Sequence, residues 1–250
     1  MNPKEIPMNP DDIDQLLVNL KLRRLRDVLV RELTRAAQTG CSHEDFLARL
    51  LREEWLYRQE RAQKYRLDKA KLPEQWEIDT FPFDMQPGVN AAQIRQLASL
   101  DFVATGTNIV FIGEPGTGKT GLGTGILLKA LRAGRRAMFI KAQDLFDEMF
   151  ASLADRSTRS LLNHLARIDV LQVDELGYLN VQPEQANAFF KLMDQRYTLR
   201  KPTIITTNID YDDWPRQLGN AKMTEALLSR LRHRCTTIRI VGPSLRTPAG

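Results

Sequence analysis

The chain has 250 residues, 42% hydrophobic and 27% charged, enough to bury a core without covalent staples and ordinary for a globular protein. Lys and Arg outnumber Asp and Glu by 36 to 31, and this net charge of +5 points mildly to a polyanionic partner. Two distant cysteines, Cys41 and Cys235, argue against a disulfide framework or zinc site. With no run of eighteen apolar residues and no secretory leader, the expectation is a cytoplasmic protein with no membrane span.

Residues 1–12 read as loosely held. From Asp14 to Gln38, Leu17, Leu20, Leu25, Val28, Leu29, Leu33 and Ala36 recur at helical spacing and predict one helix, stopped by Gly40. Ser42 and Asp45 form a capping signature for a second helix, which runs through Phe46, Leu47, Leu50, Leu51 and Trp55 into a basic end. Pro73, Pro82 and Pro87 then break the pattern. A helical amino-terminal domain is therefore expected over 1–72, and a connector over 73–89 with Trp76, Phe81 and Phe83 as anchors.

From residue 90 the pattern alternates. A helix over 90–104, with Asn90 as its cap, precedes a buried strand at Asn108–Ile112. A helix to about Arg132 ends at Gly134, followed by a strand at Ala137–Ile140 and helices from Gln143 and near Thr158–Arg167. Then come the strand Val170–Asp174, a helix over 184–200, the strand Thr203–Asn208, a helix near Met223–Arg232 and the strand Thr236–Val241. Five short strands separated by helices predict an α/β domain over 90–250, with a parallel five-stranded sheet.

Between the first strand and its helix, Gly113, Glu114, Pro115, Gly116, Thr117, Gly118, Lys119 and Thr120 match G-x-x-x-x-G-K-[ST] in full. Glycines let backbone N–H groups turn inward around phosphate oxygens, and the positive end of the next helix, from Gly121 on, adds to the field. Lys119 would reach the β- and γ-phosphates, and Thr120 would give a hydroxyl to Mg2+. The third strand ends in Asp174-Glu175. The first carboxylate suits the magnesium shell, and the second suits a general base on the attacking water. The extra strand between glycine loop and acidic pair fits additional-strand ATPases better than simple nucleotide kinases.

Asn208 closes the fourth strand, where it could position water or cap the next turn. Arg230 could be solvated, salt-bridged or aimed at a neighbouring subunit's nucleotide. Basic residues cluster at Arg23, Arg24 and Arg26, at Arg61, Lys64, Arg66 and Lys69, and beyond Glu225. Any one cluster fits a solvated helix face; three together point to nucleic acid. His43, His164 and His233 show no ligand spacing, and no serine has a triad arrangement.

These residues resemble those of the IstB-like transposition ATPases, members of the AAA+ class related to the DnaC helicase loaders. The likeness runs from about residue 14 to residue 246. Its landmarks are Phe83–Gly88, the glycine loop, Val173-Asp-Glu-Leu-Gly-Tyr-Leu179, Gln195-Arg-Tyr197, Thr203–Asn208, Trp214, Leu228-Ser-Arg-Leu231 and Gly242–Arg246. The loop alone is generic, whereas Asp-Glu-Leu-Gly-Tyr-Leu with Ile-Ile-Thr-Thr-Asn is specific. The resemblance implies that Gly113–Thr120 is Walker A, Asp174 and Glu175 are Walker B, Asn208 is sensor 1 and Arg230 is the trans-acting arginine finger. It further implies ATP and Mg2+ as ligands, a homo-oligomer on double-stranded DNA, and a cognate transposase recruited there. The amino-terminal domain would serve DNA contact or subunit packing, and Arg196 matches a recurrent arginine whose role the resemblance leaves open.

The chain departs from the family pattern at Gly121-Leu-Gly-Thr-Gly125, where helix formers are usual. Three glycines should weaken a helix by about 1 kcal/mol each relative to Ala. The tail Gly-Pro-Ser-Leu-Arg also replaces a more acidic and aromatic pattern. Competing readings are a replicative-helicase loader, a small-molecule P-loop kinase, which would need an acceptor lid, and a scaffold that binds ATP without hydrolysing it.

Overall fold

The computed structural model describes residues 10–177 and 179–246. Residues 1–9, part of the segment expected to be loosely held, lie outside the described residues, while 10–12 form the first turn of a helix. The chain divides into two compact units, residues 1–65 and 66–250. Among the described residues no helix is long and apolar enough to cross a membrane.

In the first unit α1 (Pro10–Asn19), α2 (Arg23–Thr39) and most of α3 (His43–Lys69) bury Leu17, Leu25, Val28 and Leu50 against one another. The single helix expected over Asp14–Gln38 is two helices. The chain turns left-handed at Lys21 (φ 57°), where the Leu22 N–H reaches the Leu17 carbonyl at 2.9 Å and the Lys21 N–H reaches Val18 at 3.0 Å. That pair of bonds is a Schellman closure made without glycine. Gly40 (φ 58°) ends α2, and the Ser42 hydroxyl caps α3 by accepting from the Asp45 N–H at 3.1 Å.

The second unit is a five-stranded parallel sheet in the order β2-β3-β4-β1-β5, formed by β1 (Asn108–Gly113), β2 (Ala137–Lys141), β3 (Val170–Asp174), β4 (Thr203–Thr207) and β5 (Cys235–Ile240). The strands are apolar on both sides because both faces are covered. Val110, Ile112, Met138, Leu171, Val173 and Ile205 face α7 (Ala142–Ala154), α8 (Thr158–Ala166), α9 (Pro183–Thr198), α10 (Trp214–Leu218) and α11 (Ala221–His233). Their alternates, including Ile109, Phe111, Phe139, Val170, Ile204 and Ile238, face α4 (Ala91–Leu97), α5 (Asp101–Thr105) and α6 (Lys119–Arg132).

Residues 73–89 share this second core. Two short 3-10 turns, Ile78–Thr80 and Phe83–Met85, carry Ile78, Phe81 and Val89 into it. Just before them, the Ala70 carbonyl accepts from the Phe139 N–H at 2.8 Å along the edge of β2. The helix expected over 90–104 breaks at Leu100 (φ 72°) into α4 and α5.

Candidate active site

β3, β4 and β1 are neighbours in the sheet, and their carboxyl ends open on one cavity of about 740 Å³. Ligands of open parallel sheets bind at this end of the strands. The glycine loop leaves β1 and enters α6. Gly116 and Gly118 have φ of 82° and 92°, values that L residues rarely adopt. A Cβ on Gly116 would lie 2.1 Å from Ser244 Oγ, and one on Gly118 would lie 2.7 Å from the Phe81 ring. Both packing and backbone therefore demand glycine at these two positions.

Lys119 opens α6 and is 8% exposed, with its Nζ donating to the carbonyls of Gly113 and Glu114 at 2.7 Å each. Burial lowers its pKa, and Asp174 acts in the opposite direction. The Thr120 hydroxyl, one residue on, donates to Asp174 Oδ2 at 3.1 Å. On the other side the Thr206 hydroxyl donates to Asp174 Oδ1 at 2.6 Å, a contact set by the register that pairs Val173 with Ile205. Asp174 is 2% exposed, and desolvation raises its pKa against the pull of those two hydroxyls.

Glu175 is exposed and left-handed (φ 59°), an uncommon conformation for a residue with a side chain. Its N–H donates to Thr206 Oγ1 at 2.9 Å, and the Leu176 N–H donates to the Thr206 carbonyl at 2.8 Å. The Thr207 hydroxyl donates to the Leu176 carbonyl. The β3 turn is thus held by the end of β4. Asn208 lines the same cavity, and its Oδ1 lies 2.4 Å from where a Cβ on Gly177 would stand, so a side chain at Gly177 would displace the Asn208 amide.

Sequence reasoning gave no site role to the residues that border the glycine loop from outside the sheet. Gln86, with no exposed surface, donates from Nε2 to the carbonyls of Thr117 (3.1 Å) and Pro243 (3.0 Å). The Leu245 N–H donates to the Gly116 carbonyl at 2.8 Å, and Arg246 lines the cavity beside it. Trp76 and Phe81 line it from the connector. The sequence signals for these were the aromatic anchors Trp76 and Phe81 and the landmark segments Phe83–Gly88 and Gly242–Arg246, and the two segments here touch the loop together.

Residues 15–249 match the family model described as IstB-like ATP binding protein. The chain belongs to that family. It is 34% identical over 235 residues to an ATP-binding protein of insertion sequence IS21 from Pseudomonas aeruginosa, covering 94% of this chain and 88% of the relative. It is 39% identical over 175 residues to an ATP-binding protein of insertion sequence IS232 from Bacillus thuringiensis subsp. berliner, covering 70% of each. Among solved structures, the DnaC helicase loader superposes with a TM-score of 0.53 at 24% identity over 60% of this chain and 88% of that one. AMPPCP-bound DnaA from Aquifex aeolicus gives 0.57 at 20% identity over 68% of this chain and 51% of that one. These two likenesses are ones of fold.

The other expected site residues of this IstB-like chain stand elsewhere. Arg230, on α11, pairs with Asp194 Oδ1 at 3.1 Å and lines a separate cavity of about 240 Å³ with Tyr197 and Met223. Arg196 is 1% exposed and donates to the carbonyls of Leu165 (2.7 Å), Ile168 (2.9 Å) and Pro202, and to Thr203 Oγ1 (2.9 Å). It ties the turn before β3 to the turn before β4. Of the basic residues, Arg24 pairs with Glu53 (3.0 Å) and Arg26 with Asp14 (2.6 Å). Arg61 lies over the Tyr57 ring, 5.6 Å from its centroid, and Arg66 donates to the Leu131 carbonyl at 3.3 Å. Arg23, Lys64 and Lys69 are exposed.

Proposed function

We propose that the chain is an ATP-hydrolysing regulator of DNA transposition, which assembles with copies of itself on double-stranded DNA and there recruits and stimulates its transposase. The observation that carries this reading is the convergence of Lys119, Thr120, Asp174, Glu175 and Asn208 on one cavity, in a chain of the insertion-sequence ATP-binding family. The glycine loop, from Gly113 through Gly121, is the phosphate cradle. Its positive φ values and absent side chains support close approach of the backbone to phosphate.

Thr120 and Asp174 supply a hydroxyl and a carboxylate 3.1 Å apart, oxygen donors of the kind Mg2+ takes, so the residues present fit that ion. When bound there, Mg2+ would neutralise charge on the transferred phosphoryl group. Lys119 gives up its contacts with the Gly113 and Glu114 carbonyls and turns to the β- and γ-phosphates. Glu175, on its left-handed turn, accepts a proton from the attacking water, while Asn208 orients that water. Arg230 is not among the residues that line this cavity, which supports its acting on a neighbouring subunit's nucleotide.

In the first unit, Arg23 and Lys64 are exposed cations for phosphate contact. The exposed stripe Leu47, Leu51 and Trp55 suits subunit packing. The family match over nearly the whole chain favours this reading over a helicase loader, to which the likeness is one of fold. Sedimentation of the full chain with a DNA duplex tests it. With ATP, large particles that grow fewer as salt rises are expected, and little association without nucleotide. A monomer that ignores both DNA and ATP would overturn the proposal.

A further inference from the structure

The glycine loop, with Lys119, accounts for a triphosphate, but nothing assigned so far reads the rest of a nucleotide. The cavity extends past the loop to Pro73, Glu74 and Trp76 of the connector. Trp76 is 39% exposed, whereas the other aromatic side chains lining this cavity, Phe81 and Phe139, are each 5% exposed. The indole therefore offers the open aromatic face of the cavity. Its placement is built. Trp76 lies on Gly121, where a Cβ would stand 3.2 Å from the indole Cδ2, and Ile78 lies on Gly125, where a Cβ would stand 2.6 Å from Cδ1. Phe81 and Leu245 pack on Gly118 behind it.

A P-loop holds the α- and β-phosphates on its backbone and reaches toward the γ-phosphate with its lysine. Here Lys119, Asp174 and Glu175 mark the γ end. Gly121 follows Thr120 at the exit of the loop, where the α-phosphate leads on to the sugar and base. We infer that Trp76, seated on Gly121, is the base-stacking residue of the site, so that the chain binds a nucleoside triphosphate rather than a bare polyphosphate. This rests on the reading of Gly113–Gly121 as a phosphate cradle. Stacking on an aromatic face tolerates any base, so Trp76 gives affinity for a base as a class. Glu74 is the polar side chain of the connector that lines this end of the cavity.

The chain has three tryptophans, and Trp214 is 1% exposed, so a change in Trp76 can be isolated by comparing the chain with its Trp76→Phe variant. Intrinsic fluorescence and calorimetry of the full chain with ATP, ADP and inorganic tripolyphosphate provide the test. ATP and ADP are expected to quench a component that Trp76→Phe lacks, and tripolyphosphate is expected to bind without that quench. Trp76→Ala should weaken ATP about tenfold or more and leave tripolyphosphate unchanged, with Trp76→Phe between the two. Wild-type ATP affinity in Trp76→Ala, or equal loss for ATP and tripolyphosphate, would overturn the assignment. Lys119→Ala separates the two readings: if it keeps wild-type affinity for both ligands, the phosphate cradle itself is wrong.

Discussion

Asp174 shows most plainly what the site costs the fold. It is 2% exposed, and burial holds its carboxyl above the ordinary carboxylate pKa, against the hydroxyls of Thr206 and Thr120 that donate to it. A carboxyl whose folded pKa is raised favours the fold at pH below the unfolded value, and that contribution is lost as pH climbs through the folded value. At neutral pH its charge is therefore a net burden, as is the charge of Lys119, whose pKa burial lowers. Asp174→Asn keeps the shape and removes the charge. Without nucleotide it is expected to raise Tm by about 2–4 °C, or about 1 kcal/mol, at pH 7.5 and to abolish ATP turnover. A thermal melt checks this, and a Tm lower than wild type would contradict it. At this scale much was legible. Lys119 and Thr120 are named by the glycine-loop motif and Asp174, Glu175 and Asn208 by their position at a strand end, and the structure gathers all five. Thr206, whose hydroxyl donates to Asp174 and accepts the Glu175 N–H, was legible only as part of the polar end of the fourth strand, because its role depends on the β3–β4 register.

Among the elements, α6 is the helix expected after the glycine loop and runs from Lys119 to Arg132. It carries three glycines, residues that propensity alone disfavours in a helix. Each glycine meets a neighbour. Gly121 takes Trp76, Gly123 takes Gln172 of β3, and Gly125 takes Ile78 of the connector. Gly123 is the tightest against the sheet, since a Cβ there would stand 2.6 Å from the Gln172 Nε2, and Gln172 has no exposed surface into which to move. Helix propensity alone gives Gly123→Ala a gain of about 1 kcal/mol, while overpacking costs about 1–3 kcal/mol. A lower urea midpoint is expected, and a higher one would show that the contact yields. The helix breaks at Lys21 and Leu100 escaped sequence reasoning for a related reason. Both residues are left-handed without being glycine, and the closing bonds are backbone bonds that no side chain announces. The close packing of the connector on the glycine face of α6 was equally hidden: the aromatic anchors and the glycines stood out separately, but their pairing is a tertiary contact.

For the whole molecule, the alternation of apolar strands and helices was enough to predict a parallel five-stranded sheet, and the order β2-β3-β4-β1-β5 explains why three separate motifs meet. What the alternation could not indicate is where Arg230 lies. Its pairing with Asp194, in a cavity apart from the glycine loop, leaves the nucleotide site without an arginine from α11 of the same chain. On the proposed function, two chains make one complete site, one supplying Glu175 and the other Arg230. Mixing two inactive variants tests it most directly. Glu175→Gln and Arg230→Ala, each alone with DNA and ATP, should release phosphate at about 1% of the wild-type rate or less. A mixture of the two should regain a sizeable fraction of wild-type activity, because some junctions then pair an intact Glu175 with an intact Arg230. Wild-type turnover by either variant alone, or no recovery in mixtures that demonstrably co-assemble, would contradict a site shared between two chains.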